Sequence, residues 1–215
     1  MPSTHQPPLP TEVSLLRIVA QGLVPATSAA TPVEAVHALL AVQGQQVGSI
    51  PDAISLRTAG ARRHDVHAAF DAGELVRSWP MRGTVHVTTT ADHHWLREVL
   101  HHRMRSWAQV SLQATGLTPD VLEEAGDTAL RLIAEEGPLP RARLMEVWAD
   151  QGLLDPGLGE DVVRLRRRHL LIHLHRDGIL VQGPLGRGEH LLLDASDLPP
   201  ASTGIGGSEG VRHGQ

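Results

Sequence analysis

The chain contains no cysteine and no lysine. Without cysteine there can be no disulfide, no thiolate-bound zinc and no cysteine nucleophile. Long hydrophobic runs are missing too: none approaches the ~20 residues that a membrane-spanning helix requires. Residues 1–10 are polar and proline-rich, and they lack the basic start and apolar core of a secretory signal. The expectation is a cytoplasmic protein that neither enters nor crosses a membrane, disordered over residues 1–10. Its 215 residues suffice for one large domain or two small ones. No heptad pattern supplies a coiled-coil dimer seam, so a monomer is expected.

The missing lysine has a counterpart. All 19 basic residues are arginine, the side chain suited to planar, bidentate contacts with phosphates and guanine edges. A GC-rich coding sequence explains the loss of lysine but not where the arginines fall. A net charge of −5 argues against bulk attraction to nucleic acid. Yet the acids gather between Asp120 and Asp161, whereas Arg57 to Arg105 holds eight arginines and seven histidines against five acids. A second knot, Arg164, Arg166, Arg167 and Arg168, comes after the acidic stretch.

Helix and strand signals come in a repeated order. Thr11 caps a predicted helix to about Leu23, with Leu15, Leu16, Val19 and Leu23 as its apolar stripe. Thr31-Pro32-Val33-Glu34 is a start signal: a cap, a proline in the first turn and an acid able to close a capping box. Val33, Val36 and Leu40 then point to a core. Short helices come next, over 51–58 and 65–71. Two β-type runs, Leu75 to Trp79 and Thr84 to Thr88, flank the turn residues Pro80-Met81-Arg82-Gly83. One long helix is predicted over 91–110. The second half repeats this order. Thr118-Pro119 starts a helix to about Glu136, a second runs over 141–151 and a third over 160–176. Strands at 179–182 and 190–194 then surround a glycine-rich turn. The fold expected is mainly α with small β-hairpins, an α+β protein of two tandem winged-helix units over 11–110 and 118–194. A Pro/Gly/Ser-rich stretch over 195–215 is expected to be disordered.

Several strings carry a resemblance. Ala41-Val42-Gln43-Gly44-Gln45-Gln46 is similar to the Gln-x-Gln segment of the AlkZ/YcaQ family of winged-helix DNA glycosylases. The run from Leu75 to His86 resembles that family's first wing nearly residue for residue. Arg164 to Gly178, continued by Ile179 to Pro184, is similar to its second recognition helix and wing. The resemblance covers roughly 11–194. Its members carry a third winged helix and a C-terminal β-barrel that together form a concave DNA-binding surface. Nothing similar to those parts is found here, and Ser202 to Gln215 matches nothing in them, so a shortened form is expected.

The resemblance implies excision of alkylated purines by hydrolysis of the N-glycosidic bond, with double-stranded DNA as partner and no cofactor. It implies that Gln43 and Gln45 hold the attacking water. A neutral amide suffices because an N3- or N7-alkylated purine is cationic and leaves readily, so orienting water is the main task. Read from the residues alone, Gln43 continues the stripe of Val36 and Leu40 if the helix from Pro32 extends. Alternatively, Gln43 to Gln46 is a polar helix end with Gly44 as a left-handed cap. On the presumed wing, Arg77, Arg82 and His86 are candidate phosphate or minor-groove contacts. Trp79 is either a stacking wedge or core packing. On the helix over 160–176, Arg164, Arg168, Leu171 and His175 share a face that Arg167 borders, where a winged helix presents its recognition surface. The alternative there is a solvated basic face, with Arg166 on the far side pairing an acid. His169 and His173 are four residues apart but have no catalytic Glu between them and no third ligand, so no metal is expected. The competing function is a non-catalytic DNA-binding protein, a regulator or accessory factor.

Overall fold

The computed structural model describes residues 11–81 and 83–199. The disorder expected over 1–10 and beyond 199, and the candidate Arg82, lie outside the described residues. In the first half come α1 (Thr11–Ala20), α2 (Pro32–Leu39), β1 (Val42–Gln43), α3 (Ile50–Ser55) and α4 (Arg63–Asp71). The hairpin β2 (Leu75–Met81) and β3 (Thr84–Thr89) is next, then α5 (Thr90–Leu100) and α6 (Arg105–Thr115). The second half holds α7 (Pro119–Glu136), α8 (Arg141–Asp150), α9 (Glu160–Arg176), β4 (Leu180–Leu185) and β5 (His190–Asp194). The protein is thus α+β and mainly helical. No helix among the described residues is long and apolar enough to cross a membrane.

Caps set the starts of the helices. Thr31 Oγ1 accepts the Glu34 amide at 3.1 Å, and the Glu34 carboxylate reaches one residue further back, to the Ala30 N–H at 2.9 Å. Thr118 caps α7 through the Val121 amide. The helix expected over 91–110 is broken: a 3₁₀ turn at His101–Met104 separates α5 from α6. Helix α1 stops at Ala20 and buries no residue; Leu15 and Leu16 are 57% and 65% exposed, so its apolar stripe meets no core among the described residues.

Helix α2 does not carry Gln43. Leu40 takes a positive φ of 60°, which is unusual for a residue with a side chain, and the helix ends there. The chain enters β1 two residues later. This corrects both readings of the segment: Gln43 lies on a strand rather than on the stripe of Val36 and Leu40, and the positive-φ cap falls at Leu40, not Gly44. Leu40 is consequently exposed while Val36 is buried.

All five strands form one antiparallel sheet, in the order β1-β3-β2-β4-β5. The two hairpins therefore meet edge to edge, β2 beside β4. Register places Val42, Val87, Arg77, Gln182 and Leu192 in one row across the five strands, and hence on one face. Two apolar cores pack against this sheet. One, around Val36, Ile54, Val66, Phe70 and Leu75, belongs to the first half. The other, around Trp148, Leu144, Leu170, Leu180 and Leu192, belongs to the second. Val76, Val181 and Ala195, with Leu193 and Leu198, make a small third cluster that bridges the hairpins. A Cβ on Gly183 would collide with Leu193, so glycine permits this close packing. The expected disorder from Ala195 onward is corrected for its first residues: Ala195–Asp197 form a 3₁₀ turn and Ala195 is fully buried.

Candidate active-site cleft

Where the two hairpins meet, a cleft of about 600 Å³ opens between the sheet and helices α8 and α9. Its lining includes Gln45, Arg77, Trp79 and Gln182 from the sheet side and Arg141, Arg164 and Arg168 from the helices. Strands from both hairpins and the loop after β1 thus converge with two helices from the second half of the chain.

Arg77 is the centre of the sheet side. It is only 8% exposed, so it is not the solvent-facing wing contact that the sequence suggests. Its Nε donates to the Gly44 carbonyl at 2.8 Å, and Nη1 donates to Gln182 Oε1. One guanidinium therefore ties the Gln43-Gly44-Gln45 segment to the second hairpin. Its charge lies 6.0 Å from the centre of the Trp79 ring. Burial pushes the Arg77 pKa down to about 10, which leaves it cationic at neutral pH. No carboxylate among the described residues pairs with it.

Behind this floor lie neutral histidines. His175 is fully buried and its ring sits 4.7 Å from that of Trp79. Burial, helped by the nearby His93 and Arg77, lowers its pKa to about 3. His93, also buried, is lowered to about 3 by burial and by His94 and Arg97. Neither ring nitrogen of His93 has a hydrogen-bond partner among the described residues. His190 Nδ1 lies 2.6 Å from the Gly183 carbonyl, which can only accept; Nδ1 therefore carries the proton and Nε2 does not. Burial lowers its pKa as well.

The helix side differs. Arg164, Arg168 and Leu171 line the cleft and His175 continues their stripe into the core, as the spacing predicts. The Arg164 side chain is 77% exposed and holds Asp161 at 2.6 Å. Arg168 and Arg141 are exposed and form no ion pair or hydrogen bond among the described residues. Arg166 pairs no acid among the described residues. It donates to the carbonyls of Thr115, Gly116 and Leu153, capping the end of α6.

The glutamines part company. Gln45 is exposed in the cleft, with Oε1 accepting weakly from the Val85 amide at 3.4 Å. Gln43 is exposed too, but it sits on the edge strand in register with His86 and is not part of the cleft lining. Gly44 between them is buried against Val87, where a Cβ would approach to 3.3 Å. His86 is half-buried between the buried Val85 and Val87, with Nδ1 3.0 Å from the Thr84 carbonyl. Arg167 lines two other hollows beside α8, not this cleft. Of the candidates named from sequence, the cleft gathers Gln45, Arg77, Trp79, Arg164 and Arg168. Sequence reasoning missed Gln182, Glu189, His190 and Arg141, which lack a local pattern. Only the pairing of β2 with β4 brings the first three to Arg77.

The His169–His173 pair meets a hydroxyl from another helix. Ser111 Oγ sits 2.8 Å from His169 Nδ1 and 2.9 Å from His173 Nε2, joining α6 to α9, with Trp107 against both rings. Among the described residues no group of three or more metal-ligating side chains converges.

A sequence model of the DNA glycosylase AlkZ-like family matches residues 36–201. Among solved structures, Streptomyces sahachiroi DNA glycosylase AlkZ shares the fold with a TM-score of 0.63 at 23% identity. The match covers 84% of this chain and 47% of that one, so the chain spans about half that structure's length. No curated protein matches.

Proposed function

The chain belongs to the AlkZ-like DNA glycosylase family, and from that premise we propose that it binds duplex DNA across the arginine-walled cleft and hydrolyses the N-glycosidic bond of alkylated purines there. The two helix-then-hairpin halves are read as paired winged-helix units, with the hairpins and α9 as the DNA-facing elements. The observation that carries the reading is the position of Gln45: exposed, uncharged and in a cleft one wall of which presents Arg141, Arg164 and Arg168. Phosphates on that wall would hold the duplex and release counterions. The Gln45 amide would orient a water toward the anomeric carbon. Its Oε1 has a second lone pair besides the weak Val85 contact, and its NH₂ group supplies two donors. Arg77 acts as a positioning residue: by holding the Gly44 carbonyl it fixes the backbone that presents Gln45.

One observation favours a second reading, DNA binding without excision. Gln43 is not among the residues that line the cleft, so Gln45 is the one glutamine of the pair placed there. The test is incubation with a duplex containing N7-methylguanine, then alkaline cleavage of abasic sites, beside a salt titration of binding. Strand cleavage supports the glycosylase; salt-sensitive binding without cleavage supports the second reading.

A further inference from the structure

The cleft lining contains four arginines and one carboxylate, Glu189. Glu189 is half-buried, and among the described residues its carboxylate forms no ion pair or hydrogen bond. The backbone around it is fixed. Its carbonyl accepts the Gly186 amide at 2.8 Å, and the next residue, His190, is buried and held to Gly183. A carboxylate here weakens the attraction of the cleft for phosphate, so its presence needs a reason other than backbone binding.

The chemistry proposed for the cleft supplies one, and the role of Glu189 rests on that reading. An alkylated purine nucleotide is cationic at the base. When the glycosidic bond breaks, its electron pair goes to the departing purine, which leaves neutral, and the positive charge passes to the sugar as an oxocarbenium. Four arginines oppose charge developing there, and the neutral amide of Gln45 cannot offset them. We propose that the Glu189 carboxylate faces the reacting sugar, stabilises the oxocarbenium and accepts the proton released as water adds to the anomeric carbon. Charge balances: a cationic substrate and water become a neutral base, a neutral abasic sugar and one proton, which Glu189 passes to solvent.

The test uses the full chain and two abasic-site duplexes, one with a cationic pyrrolidine sugar analogue and one with neutral tetrahydrofuran. The parent is expected to bind the cationic analogue more tightly by about tenfold or more, as a transition-state mimic. Glu189→Gln should abolish that preference while keeping affinity for the neutral analogue. On N7-methylguanine duplex, Glu189→Gln should lower the single-turnover rate by about a hundredfold, with partial rescue by Glu189→Asp. A parent that releases base and a Glu189→Gln variant that keeps both its rate and its cation preference would overturn the assignment alone. A parent that releases no base and shows no preference would overturn the proposed function and this role together.

Discussion

The two sides of the cleft are built on opposite terms. On the sheet side the groups hold one another: Arg77 binds Gly44 and Gln182, His190 binds Gly183, and Trp79 rests on His175. On the helix side Arg141 and Arg168 stand in solvent without partners among the described residues, and Arg164 is tethered only by an exposed aspartate. Pinned groups have fixed positions and are costly to remove, whereas free cations contribute little to folding and are available to an external anion. On the proposed function, the sheet would supply positioning and the helices affinity.

The largest expected effect concerns the buried histidines behind and beside the sheet. His93 and His175 are held near 3 and His173 near 4, in each case mainly by burial. The unfolded chain takes up protons near the ordinary value of about 6.5. Between pH 7 and 5 the unfolded state thus binds more protons, and stability falls on acidification. Each of the three is expected to contribute a loss of about 2 kcal/mol over that interval. Urea unfolding at pH 7, 6 and 5 measures it; a flat profile would mean that these rings are not buried neutral in solution.

Next in size is Arg77→Ala. It strands the Gly44 carbonyl and the Gln182 amide and leaves a cavity, and the expected destabilisation is about 3 kcal/mol. Arg168→Ala in the same denaturation experiment should stay within about 0.5 kcal/mol of the parent. Equal losses for the two arginines would erase the distinction between the walls. In DNA binding the ranking reverses. Arg141→Ala combined with Arg168→Ala should reduce the slope of log affinity against log salt by about 2, at about 0.9 per lost phosphate contact. An unchanged slope would remove the helix wall from the interface. The smallest effect is expected for Arg167→Ala, which faces other hollows. Its salt slope should match the parent's within about half a contact.

Legibility in the sequence divides along the same line. Helix α9 starts at Glu160 and ends at Arg176 as its pattern predicts, and the stripe Arg164, Arg168, Leu171, His175 runs from cleft to core because 3.6-residue periodicity is local. Thr31 and Thr118 cap as expected. The sheet side was less legible. That Arg77 would be buried depends on β2 meeting β4 a hundred residues along the chain, and no local signal encodes that pairing. Gln43 was misplaced because Val36, Leu40 and Gln43 fit a helix; the turn at Leu40, where no glycine announces it, diverts the chain into a strand. The exposed stripe of α1 shows the converse failure, a helical pattern whose apolar face meets no core.

Gln45, held in the cleft by the segment Arg77 anchors, is proposed to act on the attacking water while the arginine wall supplies affinity. Single-turnover release of N7-methylguanine from duplex DNA, with Kd determined in parallel, tests this division for the parent, Gln45→Ala and Gln43→Ala. Gln45→Ala is expected to lower the rate by about a hundredfold or more while Kd changes by no more than about threefold. Gln43→Ala should have the smaller effect on rate. A Gln45→Ala variant as fast as a base-releasing parent, or a loss of rate confined to Gln43→Ala, would contradict the claim.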